Sequence, residues 1–273
     1  MYFKSLGLRI QSIYSHEWTY IWKDFDGSIT LIICGKNKTD IFLSIIAEYV
    51  FNCLILFIRR DKLCLPSLLV KLKRESKNFM PIVDCIIESS YSNLCSRNNY
   101  VLAVKNIHVF NKLNEFSAQS SSQFCSIVLN HKTLLGTEGW WDLHNIDRYL
   151  LLTLLKSSKS LKNDIVVYLP KKNPMVAYRF VTIPIPIFGI LCVICGSKPL
   201  YSELKTSAYE IFNNETISLQ HMERSIPRNI AQNMELQRYK IFVVLMKQNV
   251  GKIIFFMLFE NIFQKTKCFL LSV

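Results

Sequence analysis

At 273 residues the chain is long enough for two domains of ordinary size. Its composition, 50% hydrophobic and 12% aromatic, excludes a disordered segment, and 8 Gly with 8 Pro exclude a chain built on glycine-rich loops. The formal charge of +13, from 33 Lys and Arg against 20 Asp and Glu, calls for an acidic counterpart such as an anionic membrane, a nucleic acid or an acidic protein surface.

The opening stretch reads as three strands rich in aromatic and β-branched residues: Leu6–Tyr14, Trp18–Phe25 and Ser28–Gly35. Between the last two lies Asp26-Gly27, the pair a tight type I′ hairpin wants. A helix over about 40–60 follows. Its apolar run, Phe42–Ile58, is short for a bilayer span, and Asp40, Ser44, Glu48 and Asn52 make one narrow polar stripe along it. That pattern fits a helix covered on nearly all sides, with Arg59 and Arg60 favoured at its C-terminal end by the helix dipole. After Pro66 a second helix is expected over Ser67–Phe79.

The polar stretch Asn114–Gln123 marks a boundary. Beyond it, Phe124–Asn130 and Thr133–Trp140 read as a hairpin around His131-Lys132, followed by a helix at about 146–157 with Asn145 as N-cap. Three strands come next, Asp164–Pro170, Val176–Ile185 and Phe188–Gly196, then a helix at about 200–213. The order β-β-α-β-β-β-α describes an antiparallel sheet with helices, an α+β domain. The first set of elements repeats the last half of this order. Arg238–Lys247, Gly251–Glu260 and Lys267–Val273 read as strands of a third, shorter unit.

Tests for chemistry come out negative. Cys192 and Cys195 form a CxxC, but a redox pair needs its first cysteine at a helix N-terminus, and on a strand positions i and i+3 face opposite ways. No second CxxC or spaced His pair completes a zinc site. Asp24–Gly27 resembles the start of a calcium loop without its closing Glu and reads as a hairpin turn. Gly35–Thr39 lacks the upstream glycine of a phosphate loop. The five histidines, His16, His108, His131, His144 and His221, read as surface or capping residues. His144 and Glu138 are near neighbours with no pocket to serve. The sequence therefore assigns no catalytic, cofactor-binding or metal residue.

Nine dispersed cysteines and the lack of an apolar leader in Met1–Ile10 suggest a reducing compartment with free, buried thiols, where the sequons at Asn37 and Asn214 carry no meaning. The basic clusters Val70–Lys77 and Leu169–Asn173 read as solvated faces, and no interleaving of basic and aromatic residues supports nucleic acid as a partner.

The run Gly136–Leu143 (GTEGWWDL), followed by VVYLPKKNP and LCVICGSKPL, resembles the Fuzzy family of planar cell polarity effectors, and Tyr20–Ile33 resembles a hairpin in that family's first domain. The similarity spans about residues 3–210 and is strongest at 18–35 and 132–204; Glu235–Val244 faintly echoes the family's third domain. The resemblance implies tandem longin-like domains, each a five-stranded antiparallel sheet with flanking helices. It places a first unit at 1–95 without its opening strands and helix, a connecting helix or linker at 96–120, a complete second unit at 121–228 and a remnant of a third at 229–273.

It also implies a non-enzymatic subunit without cofactors. Such a subunit pairs with an Inturned-like longin protein, works beside a Fritz-like WD-repeat protein in the CPLANE assembly, and promotes nucleotide exchange on a Rab-type small GTPase. Its expected setting is the cytoplasm, the cytoskeleton and the basal body, in ciliogenesis and vesicle or intraflagellar transport, with an anionic membrane surface as a further counterpart. The alternatives are a trafficking adaptor or scaffold without exchange activity, and a thiol-dependent enzyme using Cys192 and Cys195. Two features are expected to meet a partner. One is the surplus apolar surface of the helix at 40–60, which neighbouring domains of the same chain could equally cover. The other is Trp141, turned outward while Trp140 ends its strand and packs inward; the alternative puts both indoles in the core.

Overall fold

The computed structural model describes residues 11–26, 29–65, 67–88, 107–157, 163–185 and 189–215, single residues 218 and 221, and the backbone of 241–247 and 253–259. The part of the expected first strand before residue 11 and the expected strand Lys267–Val273 lie outside the described residues.

Strands β1 (Ser12–Tyr14), β2 (Trp18–Phe25) and β3 (Ile29–Lys36) form an antiparallel meander. Phe25 pairs with Ile29, so the β2–β3 loop holds three residues rather than the expected two. Asp26 enters it with φ of 52°, a left-handed conformation Asp tolerates well. Thr39 caps helix α1 (Asp40–Phe57) by accepting the Phe42 amide at 3.3 Å. The two arginines beyond this helix do not cap it. Arg59 pairs with Asp61, and Arg60 grips both carboxylate oxygens of Asp26 at 2.9 and 2.6 Å, tying the β2–β3 loop to the 3-10 turn Arg60–Cys64.

Helix α2 (Leu68–Glu88) runs well past the expected end, with Pro81 inside it. Its apolar face explains the extension: Phe79, Ile82, Val83 and Ile86 are all buried, and this packing outweighs the local cost of the proline. Helix α3 (Ile107–Gln119) occupies part of the stretch read as a boundary; its Val109, Leu113 and Phe116 are fully buried, and Asn114, Glu115 and Gln119 form its outer face.

The second sheet has five antiparallel strands: β4 (Phe124–Leu129), β5 (Lys132–Gly136), β6 (Asp164–Leu169), β7 (Asn173–Ile185) and β8 (Gly189–Cys195), in the order β5-β4-β8-β7-β6. The β4–β5 turn is Asn130-His131, one residue earlier than expected; φ values of 45° and 62° give the two left-handed residues of a primed turn. One sheet face packs against α3 and helix α6 (Tyr201–Phe212), through Phe116, Val181, Val193, Leu204, Ala208 and Phe212. The other face packs against α4 (Glu138–Asp142) and α5 (Asn145–Ser157), through Trp140, Leu150, Phe180, Cys192 and Ile194. This is the expected α+β arrangement, a five-stranded antiparallel sheet flanked by helices.

Helix α1 is long and apolar enough in composition to cross a membrane, yet most of it is buried within the protein. One side rests on β2 and β3, where Phe51 stacks on Phe25 with ring centroids 4.1 Å apart. The other reaches α5 and β6 of the second sheet, where Tyr49 meets Tyr149 edge-on at 4.9 Å. Its apolar surplus is thus consumed inside the chain. The polar stripe survives as a polar seam: Lys23 donates to Ser44 Oγ at 2.9 Å, Lys171 reaches Glu48 Oε1 at 3.1 Å, and Asn52 bonds back to the Glu48 carbonyl.

The carboxylate of Asp147, fully buried at the start of α5, accepts the amides of Lys171 and Lys172 at 3.0 and 2.9 Å, pinning the β6–β7 turn. Burial pushes its pKa above the usual 3.8 although both amides pull the other way. A residue from 227 onward belongs to a separate unit, within which β9 (Ile241–Lys247) and β10 (Ile253–Phe259) pair antiparallel.

Replacing Asp147 by Ala strands two buried amides and should cost about 2–5 kcal/mol in urea unfolding. Because the folded carboxyl titrates above the unfolded one, its contribution is greatest below pH 3.8 and declines as pH rises through the folded value. The stability gap between wild type and Asp147→Asn should therefore shift against wild type from pH 4 to pH 7.

Candidate docking surface

The Gly136–Leu143 run resolves the paired tryptophans. Strand β5 ends at Gly136, earlier than expected, and Trp140 lies on the short helix α4 rather than at a strand end. Thr137 makes this possible: its hydroxyl donates to the Gln123 carbonyl and accepts the amides of Cys125 and Trp140. Gly139 allows the helix to press against β4, since a Cβ there would stand 2.5 Å from the Gln123 carbonyl oxygen.

Successive helical side chains diverge, so Trp140 is 0% exposed and Trp141 39%. Both rings nevertheless converge on Gly136, where a Cβ would lie 2.7 Å from Trp140 Cδ1 and 3.1 Å from Trp141 Cε2. The Trp141 indole donates to the Gly136 carbonyl at 3.0 Å, and Arg148 lies over its ring while donating to the carbonyls of Trp140, Trp141 and Leu143. The outward indole therefore meets α5, and this corner is a structural joint.

The residues tested for chemistry are scattered. Cys192 points into the core beneath α5 and Cys195 into the core beneath α3 and α6, on opposite faces of β8. Burial pushes both thiols up, so neither is a ready thiolate, and the neighbouring Cys125 is pushed to about 11 by the same cause. His144 stands just before α5, its Nδ1 accepting the Ile146 amide at 3.2 Å, and Asn145, expected as the cap, accepts the same amide from the first helical position. His108 pairs with Glu215 at 2.8 Å. His131 sits in its hairpin turn, its pKa lowered by burial and by Lys156. Asp24 accepts the Thr30 hydroxyl, so the DFDG stretch is turn chemistry. Among the described residues no three acidic, His or Cys side chains gather as metal ligands.

Among the described residues one sheet face is left uncovered. On β2 and β3, Ile21 and Ile33 pair and face α1, while the alternate pairs Trp22–Ile32 and Tyr20–Cys34 face away. Ile13, which pairs with Tyr20, extends that outer face, and Trp18 lies on it beside Lys36. Ile32 is 62% exposed, and Ile13, Trp18 and Cys34 are exposed with it. Among the described residues strand β3 has no second neighbour.

The second sheet supplies the comparison. There β7 and β8 pair in the same manner; the Val181–Val193 face meets the helix that follows β8, and the Phe180–Ile194 face is covered by α5. In the first sheet the corresponding outer face carries apolar side chains with no such layer among the described residues. The signal was present in the sequence: WTYIWKDF places Trp18, Tyr20 and Trp22 on one side of the strand and Ile21 and Phe25 on the other, a two-faced apolar strand.

Residues 120–213 match the family described as the second longin domain of FUZ, MON1 and HPS1. This makes the chain a longin-domain protein. It is 26% identical over 209 residues to the human protein fuzzy homolog, covering 75% of this chain and 50% of that one. The mouse protein fuzzy homolog is 25% identical over 215 residues (77% and 52%), and that of Xenopus tropicalis 28% over 196 residues (70% and 47%). The chain is thus similar to the Fuzzy-family longin proteins and spans about half the length of the curated relatives it matches.

At the joint, Gly136→Ala should cost about 1–3 kcal/mol by overpacking the two indoles. Urea unfolding followed by tryptophan fluorescence checks both the loss and the shift of the buried Trp140.

Proposed function

We propose that this protein is a non-catalytic longin subunit that pairs with a second, Inturned-like longin subunit, so that the pair promotes nucleotide exchange on a Rab-type small GTPase. In this reading the pair works with a Fritz-like WD-repeat protein at the basal body, within the cytoplasm and cytoskeleton, supporting ciliogenesis and vesicle or intraflagellar transport. The observation that carries it is the longin domain over residues 120–213, of a kind shared by its description with FUZ, MON1 and HPS1, in a chain similar to Fuzzy proteins.

The structure adds indirect support. The Cys192 and Cys195 sulfurs face different cores, which disfavours a thiol enzyme, and the exposed apolar side chains on the outer face of β1–β3 support a binding role instead. An aromatic and aliphatic cluster, beside a strand edge left unpaired among the described residues, suits an apolar protein layer. The exchange reaction would need no covalent chemistry from this chain. Loosening a nucleotide requires only that the pair bind the nucleotide-poor GTPase more tightly than the loaded one.

Co-expression with an Inturned-like subunit, followed by mass measurement of the complex and a GDP-release assay, tests the reading. The expected result is a one-to-one pair that accelerates release. A pair that forms without acceleration leaves a scaffold, and no pair removes the proposal. Trp18→Lys with Ile32→Lys on the outer face should weaken pairing at least about a hundredfold while leaving the melting curve of this chain nearly unchanged.

A further inference from the structure

We propose that Ser126, Thr133 and Trp140 form a binding site for one buried water molecule, which fastens helix α4 to the β4–β5 hairpin. The site lies inside the longin domain, apart from the sheet face above, and does not depend on pairing.

Three polar atoms of this domain are sealed from solvent with no hydrogen-bond partner among the described residues: Ser126 Oγ, Thr133 Oγ1 and Trp140 Nε1. All three residues are 0% exposed. Buried polar groups are ordinarily paired, so one orphan calls for an explanation and three neighbouring ones call for a shared explanation. The register brings them together. Ser126 pairs with Gly136 and Val128 with Thr133, and side chains two places apart on a strand share a face, so Ser126 and Thr133 lie on one face of the hairpin. Phe124 and Val128, on the same side of β4 as Ser126, pack in one core with Trp140. Trp140 reaches the spot over Gly136: its Cδ1, the ring carbon bonded to Nε1, would stand 2.7 Å from a Cβ placed there.

Spacing and chemistry select the ligand. Diagonal neighbours across an antiparallel pair stand about 7–8 Å apart. The two hydroxyls do not bond each other, and one water with bonds of about 2.8 Å on each side spans such a gap. An indole N–H can only donate, so the occupant must accept, while the hydroxyls can do either. A buried water makes about three hydrogen bonds, the number offered here. A cation would find no anionic ligand, because Cys192, which pairs with Ser126 from β8, keeps its proton as burial pushes the thiol up. Full enclosure of the three residues favours the smallest neutral acceptor, which is water. By holding the Trp140 indole to both strands, the water fixes the corner at which α4 carries the chain from β5 to α5.

The test is a pair of heteronuclear NOESY and ROESY spectra of the full chain with isotope-labelled tryptophan. Trp140→Phe removes one of its four indole N–H signals and so assigns it. The expected result is a water cross-peak at the Trp140 indole proton with opposite signs in the two spectra, the mark of a long-lived bound water rather than of proton exchange. Ser126→Ala and Thr133→Val each leave the water two partners, so the cross-peak should persist in both; combined, they leave one, and it should vanish. A bound water is kept or lost alike in the two single variants, whereas relay through one hydroxyl fails in one of them alone. Relay, no cross-peak in wild type, equal signs in the two spectra, or persistence in the double variant overturns the proposal. Should the double variant misfold, as circular dichroism would reveal, a high-resolution crystal structure of the wild type decides. One water within about 2.7–3.2 Å of all three atoms supports the site, and no water there, or a direct bond between Ser126 and Trp140, overturns it.

Discussion

The arrangement hinges on helix α1. An eighteen-residue helix with apolar side chains around nearly its whole circumference cannot rest against a single sheet face without leaving much of itself in water. Here it is covered twice: by β2, β3 and α2 on one side, and by β6 and α5 on the other. The first sheet is thereby joined to the longin domain through packing. The Phe25–Phe51 stack and the Tyr49–Tyr149 contact mark the two sides of the joint.

Specificity at that joint comes from the few polar groups the helix retains. Ser44 and Glu48 meet Lys23 from one side and Lys171 from the other. Such half-exposed pairs contribute little stability, but they penalise rotations of α1 that an all-apolar surface would tolerate. Asp147 holds the far side of the same region by fixing the turn that presents Lys171. A slip of either element would leave buried amides or a carboxylate without partners, which is dearer than a repacked side chain.

The same logic explains why the conspicuous motifs carry no chemistry. The two tryptophans serve the corner between β5 and α5, and Gly136 is small so that both indoles can approach. The two cysteines of the CxxC are small side chains on opposite faces of a strand buried on both sides. In the longin fold both faces of the five-stranded sheet are covered by helices, as the two apolar faces of its central strands require.

Sequence alone determined the strand meander of the first sheet, the order of elements in the longin domain, the apolar helix at 40–57 and the absence of a reactive CxxC, because each follows from periodicity or from strand geometry over a few neighbouring residues. It also carried the resemblance to Fuzzy proteins in short local runs. It misjudged the ends: β5 stops at Gly136 because Thr137 captures Gln123 and Cys125 across the sheet, and α2 passes Pro81 because its far half is buried by neighbours distant in the chain. Only tertiary structure decided where the surplus apolar surface of α1 goes and which sheet face stays open. Those outcomes depend on which elements meet in space, and a hydrophobic pattern is the same whether its counterpart lies in the same chain or in another.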